Sequence, residues 1–506
     1  MLVSQTIRLA PKQVAQLSST KMPICIGASM KTGISAFGSW MLGIGSIIGS
    51  MAWLIHAPML ARSGAVGAMA AWAIAGVLVI PLALILMELS SMFPSAGGPY
   101  LYKYYALKRL MPKMGELLGF LTGWLFWAAL IVGLACMANG LVNLLSTSVW
   151  GSGENSPIWF GPTVIIALFG ATTFLNCLSV EIVSKIVNVF TAMKIGMVVT
   201  FVGLVFSSQH WSVSNALQIH HTVGGANIVQ SVSSVLMLAL AGFAFLECTA
   251  CTSSETVNPQ KSVPRAMLLT LLSVTSIYLI MCFAVSISSP FSLSVDGTSL
   301  VVAGTSIQAN CPAIAGYLGG SAWGIGFTAC VVASIVGCSF SALMALARVG
   351  YSMAETKLFP HQFAQLHPVT KVPVYALAFQ FWCVCIIGCA ANLLSRSGAF
   401  VDAYTFLGET FGFMYAFVAM LYGFCVVSLR YTDPELPRLF RIGARGNWLV
   451  WLMATITAGI WGYAAFGCVN WTHQVAGTLV LLLGVPIFFY YRRANRSQEQ
   501  RFVFDE

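Results

Sequence analysis

The chain has 506 residues, 58% of them hydrophobic and only 8% charged, against about 25% charged in an ordinary soluble domain. With a mean hydropathy of +0.84 and a net charge of +10, it has too few charges to cover a water-soluble globule and is too apolar to be disordered. A soluble enzyme, a nucleic-acid binder and an extracellular module are excluded. There is room for roughly a dozen helices of about 20 residues, the length that crosses a bilayer core, so the expected fold is an all-α polytopic membrane protein.

In chain order the apolar segments predict twelve transmembrane helices, at about 34–60, 64–91, 115–145, 159–180, 185–207, 226–254, 264–289, 322–352, 372–394, 399–429, 447–470 and 473–491. Lys and Arg flanking the spans set orientation. With the N-terminus inside, the inner segments collect Arg8, Lys12, Lys21 and Lys31, then Lys103, Lys108, Arg109 and Lys113, then Lys185, Lys261 and Arg265. They continue with Arg348, Lys357 and Lys371, then Arg430, Arg438, Arg441 and Arg445, and end with Arg492, Arg493, Arg496 and Arg501. That is 22 of 25 basic residues; Arg62 and Arg396 fall outside and Lys194 within a span. Both termini are therefore expected in the cytoplasm. The outer segments are neutral and hold His210, His220, His221 and His473, the longest being a polar loop at 290–321. No apolar signal-peptide core is visible among the first twenty residues.

The 14 cysteines lie mostly inside apolar runs, where they act as small buried residues. Cys248 and Cys251 form a Cys-x-x-Cys with no second ligand pair, so neither a metal site nor a cofactor is expected.

Two spans carry residues that oppose helix formation. The first contains Gly43-Ile44-Gly45-Ser46-Ile47-Ile48-Gly49-Ser50, and each Gly costs about 1 kcal/mol relative to Ala in a helix interior. Close helix packing through small residues explains such a run, and so does local unwinding that frees backbone N–H and C=O groups at mid-membrane. The sixth span, with Ala241-Gly242-Phe243-Ala244-Phe245-Leu246-Glu247, favours unwinding. First and sixth spans are corresponding members of two five-helix halves of opposite orientation, and Gly-interrupted helices at matching places mark a transporter binding site. Freed N–H groups suit an anion and freed carbonyls an ammonium; a zwitterion has both.

Five motifs in register over about residues 35–380 resemble the amino acid–polyamine–organocation (APC) superfamily of amino acid permeases. Gly45 through Ser50 looks like that family's first-helix break, and Glu88 with Phe93-Pro94-Ser95-Ala96-Gly97-Gly98-Pro99-Tyr100 its second-helix exit. Phe190-Thr191-Ala192-Met193-Lys194 resembles its fifth helix, and Glu255-Thr256-Val257-Asn258-Pro259-Gln260-Lys261 with Pro264-Arg265-Ala266 the loop after the sixth. Ala347-Arg348 through Ala354, with His367-Pro368 and Val372-Pro373, resembles the segment after the eighth.

The resemblance implies a five-plus-five inverted repeat with broken helices 1 and 6 and two extra helices. The parts are a cytoplasmic tail at 1–33, a first repeat at 34–207, a second at 226–429, helices 11 and 12 at 447–491 and a cytoplasmic tail at 492–506. It implies a substrate carboxylate on the N–H groups of Gly49, Ser50 and Met51, and an ammonium on carbonyls near Ile47, Ala241 and Gly242. Phe243 and Phe245 would cover or gate the substrate, with side-chain selectivity on the third, sixth, eighth and tenth helices. The family usually has Gly where this chain has Met51, and usually Gly near Phe245; the Met51 side chain at the closest approach narrows the site. Lys194 would replace the sodium ion held by relatives of the fold, and Glu247 would relay protons or pair with a cationic substrate. Glu88, Asp402 and Glu409, nearer span ends, read as structural, and His56 as packed against neighbouring helices.

The function expected is secondary active transport of amino acids or related amines by alternating access, coupled to protons or to substrate exchange. The expected partners are a small-molecule substrate, protons and the lipid bilayer, with no nucleic acid, and the expected location is the plasma membrane, a bacterial inner membrane. An amine carrier without carboxylate recognition is the alternative. A membrane-embedded enzyme lacks its acid/base or metal constellation here, and a channel its filter loop or charged ring.

Overall fold

The computed structural model describes residues 30–504, apart from 152–154, 209–210, 218–226, 289–291, 294–298, 303–304, 309, 398–402 and 444–445. Arg8, Lys12, Lys21, Asp402, Arg445, His210, His220 and His221 lie outside the described residues. In chain order the helices are α1 (Ala36–Ile47), α2 (Met51–Leu54), α3 (His56–Met92), α4 (Gly98–Leu110), α5 (Gly115–Trp150), α6 (Phe160–Asn176), α7 (Val180–Ser207), α8 (Val213–Ala216) and α9 (Ile228–Ala241). They continue as α10 (Cys248–Cys251), α11 (Pro259–Ser288), α12 (Cys311–Gly319), α13 (Ser321–Glu355), α14 (Val374–Arg396), α15 (Ala403–Thr432), α16 (Trp448–Gly467) and α17 (Trp471–Phe504). Nine helices among the described residues are long and apolar enough to cross a membrane, and α1, α6 and α9 are shorter apolar helices.

Two features depart from the sequence reading. The outer segment expected to be a loop carries a three-stranded antiparallel sheet, β1 (Ser292–Leu293), β2 (Ser299–Val302) and β3 (Thr305–Gln308), followed by α12; alternating polarity over such short strands is easily lost in a polar loop. The fold is thus helical with one small sheet. Within α3 the backbone leaves the helical region at Gly64 (φ 71°, ψ 171°), a positive φ that favours glycine, so the second apolar segment is set off from the first close to the boundary at 60–64 that the sequence suggests. The stretch after Pro94 forms α4, which follows left-handed Gly97 (φ 63°) and has Pro99 in its first turn, a start that needs no N–H from proline.

α1 lies against α7, α11 and α13, while α3 packs on α9 and α11. α15 packs on α5, α16 and α17, which brings the chain's last third against α5. One end of this assembly is rich in basic residues and closed by two buried ion pairs. Arg348 donates to both carboxylate oxygens of Glu255 at 2.9 and 2.8 Å. Arg430 donates to both oxygens of Glu88 at 2.8 and 2.6 Å, and the Ile442 N–H adds a third bond to Glu88. All four side chains are almost wholly buried. Bidentate geometry and an added backbone donor are what make buried charges tolerable. Glu88 thus has the structural role its position near a span end implied.

Candidate functional site

The helix opened by the Gly-rich run stops at Ile47. Ile48 has φ −76° and ψ 88°, outside the helical region, and the chain resumes helical form at Met51. The Gly49 N–H turns back to the Ile47 carbonyl at 2.9 Å. The N–H groups of Ser50, Met51 and Ala52 have no acceptor among the described residues. A Cβ on Gly49 would lie 3.0 Å from Cys338 Sγ and 3.2 Å from Met137 Cε, so glycine lets α5 and α13 close on the break.

The carbonyls released on the other side of this break are taken by side chains. Lys194 Nζ, fully buried, donates to the Gly45 carbonyl at 2.7 Å, and Cys338 Sγ donates to the Ser46 carbonyl at 2.9 Å. Ser334 Oγ donates to the Ile48 carbonyl at 3.4 Å, and Trp53 Nε1 donates to Ser334 Oγ at 2.9 Å. Backbone that leaves a helix at this depth needs such partners, because hydrocarbon supplies none.

The second interruption runs from Gly242 to Glu247, between α9 and α10. Phe245 sits there at φ of 73°, a left-handed conformation costly for a bulky side chain. The Tyr278 hydroxyl donates to the Gly242 carbonyl at 2.8 Å, and Ser46 Oγ reaches the Phe245 carbonyl at 3.5 Å, tying the two interruptions together.

A cavity of about 400 Å³ lies between the interruptions. Seven of the residues singled out from the sequence line it: Ile47, Gly49, Ser50, Met51, Ala241, Gly242 and Phe245. Phe243 does not; its ring packs edge-on against Trp72 at 6.2 Å and Tyr278 at 5.6 Å. The reason is the tight turn, which sends successive side chains in different directions where a regular helix would have kept a common face. The opposite wall comes from Gly133, Cys136 and Met137 on α5 and Phe411 on α15. The cavity runs from exposed Arg62 and Cys468 at its rim to buried Phe245 at its floor. At the rim Glu409 meets His473 at 2.9 Å.

The two other charges singled out lie off the cavity. Lys194 stands behind the first interruption as described, beside the bond it makes to Gly45. Glu247 lies beyond the floor, where Phe245 stacks on Phe411 with centroids 5.5 Å apart and planes at 22°. The Tyr415 hydroxyl bonds both its carboxylate oxygens, at 3.0 and 2.8 Å. His56 packs between Trp72 and Tyr278, with centroids 5.3 and 6.0 Å away, as a packing role predicts.

Sequence reading missed Lys103 as anything but an inner-side positive charge. It is fully buried on α4, its ammonium 4.0 Å from the Tyr422 ring centroid and 4.9 Å from that of Phe126, with no hydrogen-bond partner among the described residues. The signal was present in the tyrosines at 100, 102, 104 and 105 that surround it in sequence, an unusual setting for a solvated lysine.

The amino acid permease family matches residues 32–500. The chain belongs to that family. Among curated relatives, this permease is 27% identical over 482 residues to the glutamate/serine transporter AimA of Bacillus subtilis (strain 168), covering 91% of this chain and 81% of the relative. It is 28% identical over 366 residues to the serine/threonine exchanger SteT of the same organism, covering 69% and 75%. It is 23% identical over 496 residues to the branched-chain amino acid permease BcaP, covering 93% and 95%. The permease is thus a transporter and not an enzyme, and with its apolar helices it is an integral membrane protein.

Proposed function

We propose that this permease carries amino acids across the plasma membrane by alternating access, the gradient of a proton or of a second substrate driving each turnover. The observation that carries the reading is the row of N–H groups at Ser50, Met51 and Ala52 without acceptors among the described residues, beside a cavity that Ser50 and Met51 line. A carboxylate there gains charge-assisted bonds from donors that need no reorganisation. The Gly49 N–H, engaged by Ile47, plays the lesser part.

The ammonium of the same substrate rests on the carbonyl side of the two interruptions, at Ile47, Ala241 and Gly242. Each of these carbonyls already accepts one bond, from Gly49, Ala244 and Tyr278 respectively, and keeps a second lone pair for the substrate. Lys194 acts as a tethered cation in place of a bound ion, holding the first interruption in the form that receives substrate from the rim side.

In this reading the chain forms twelve spans in two inverted five-helix repeats with α16 and α17 added, the rim outside the cell and both termini in the cytoplasm. A bacterial inner membrane fits this reading. In it the basic end is the cytoplasmic exit, and the cavity, reaching exposed residues only at the rim, is outward-facing.

The relatives named for glutamate, serine, threonine and branched-chain amino acids define the panel to try. Purified protein in liposomes loaded with unlabelled serine should accumulate labelled serine by counterflow, and the decarboxylated analogue ethanolamine should not compete. Saturable uptake of the amine with indifference to the amino acid would replace this reading with that of an amine carrier. Uptake at two internal and external pH values separates proton coupling from exchange.

A further inference from the structure

We propose that Phe245 is the size filter of the substrate cavity, its ring restricting the permease to amino acids with small neutral side chains. The inference rests on the transport reading above and names the substrate class of that site.

The first observation is conformational. Phe245 holds a φ of 73°, in a region where L side chains clash with their own backbone and glycine does not. A residue that costs stability at a place glycine would occupy freely is a reason to ask what its side chain does.

The second is position. With the zwitterionic head between the two interruptions, the substrate side chain is left with the wall formed by α5 and α15. Phe245 enters that same space. Its ring stacks on Phe411, and the two together fill the room beside Gly133: a Cβ there would lie 3.0 Å from Phe411 Cδ2 and 3.1 Å from Phe245 Cζ. Gly133 is therefore the notch that admits the ring, and the ring is the floor the substrate side chain meets. The rest of this wall holds Cys136 and Met137 with no buried charge among the lining residues at this depth, so an ionised side chain would find no countercharge to replace its water.

The test is competition for labelled alanine uptake in liposomes by alanine, serine, leucine and phenylalanine. In the wild type, leucine and phenylalanine should compete at least about tenfold less well than alanine, the discrimination a tight apolar wall provides. In Phe245→Ala the ratio of half-inhibiting concentrations, leucine over alanine, should fall at least about tenfold, since the ring's volume is released. Phe245→Gly should do the same, and should melt at a higher temperature than Phe245→Ala because only glycine adopts the left-handed backbone without strain.

Gly133→Ala provides a variant that moves the other way. Its methyl pushes on both rings, so serine should lose ground to alanine. A wild type that takes leucine as readily as alanine would overturn the proposal, as would folded Phe245→Ala or Phe245→Gly with the wild-type ratio. If both Phe245 variants fail to fold, Gly133→Ala with an unaltered serine-to-alanine ratio overturns it equally. Absence of any saturable amino acid uptake by the wild type is a different failure, that of the transport reading itself.

Discussion

Lys194 reaches 149 positions back along the chain to the Gly45 carbonyl, at 2.7 Å, and this bond joins α7 to the last turn of α1. The carbonyl lies two residues before Ile47, where the helix stops. The bond thus steadies the end of α1 from behind, while the cavity lies on its other side. Lys194→Ala should lower the rate of counterflow by about tenfold or more, the scale of one lost charge-assisted bond of about 1.5–3 kcal/mol. Liposome uptake against pH checks this, and an unaltered rate with an unaltered pH profile removes the role assigned to Lys194.

The other interruption offers a milder test. Tyr278 donates its hydroxyl to the Gly242 carbonyl while its ring lies 4.2 Å from the Trp72 centroid. Tyr278→Phe keeps the ring contact and deletes one hydrogen bond, so a stability loss of about 1 kcal/mol is expected. The apparent affinity for substrate should fall as well, because the turn holding Gly242 loses its anchor. A thermal unfolding midpoint in detergent and a KM for uptake report the two effects separately.

At the basic end, Glu255 and Glu88 are each gripped by an arginine at two points, and Glu88 also faces Arg438 Nε at 3.7 Å. Removing one partner of a buried pair leaves the other uncompensated, at a cost of about 3–5 kcal/mol. Glu255→Gln or Glu88→Gln should therefore lower the unfolding midpoint far more than Glu181→Gln. Glu181 pairs with Lys31 at 2.5 Å with both side chains exposed, an interaction worth about 0–1 kcal/mol. Comparable midpoints for all three variants would contradict the buried geometry.

Lys103 supplies a pH dependence. Burial pushes its ammonium down from 10.5 to about 7, against the pull of Cys425, Glu247 and Cys251 across from it. Between about 7 and 10.5 the folded chain therefore binds fewer protons at this residue than the unfolded chain. The contribution of Lys103 to stability is lowest below about 7 and rises as pH climbs from there toward 10.5. Lys103→Met should flatten the rise of the unfolding midpoint between pH 7 and pH 9, read against the wild type in the same detergent. A variant with the wild-type slope would mean that Lys103 stays charged throughout that range, held by the Tyr422 and Phe126 rings together with Glu247.

Composition by itself determined that this chain belongs in a membrane, because 8% charged residues cannot hydrate a surface of this size. Local sequence likewise determined where two helices stop. The glycines up to Gly49 and the Gly242 that opens the second run each weaken a helix by about 1 kcal/mol relative to Ala, and the interruptions lie beside them. Seven of the eight residues picked for the substrate site line one cavity for the same reason: they are the interruptions.

What faces those interruptions was decided only by packing. Gly133, Cys136, Met137 and Phe411 read along the chain as ordinary apolar helix, and nothing local distinguishes the face turned to a cavity from the face turned to lipid when both are apolar. The same blindness hid Lys103, which sits among tyrosines in a segment that composition assigns to the positive side, and whose burial depends on α5 and α15 closing over it. It also sent Phe243 to the wrong place, since a turn without helical period gives its side chains directions that only coordinates contain. A left-handed φ at Phe245 is the extreme case: side-chain chemistry argues against it, and the tertiary fold imposes it because the chain must reverse there while its ring enters the notch at Gly133.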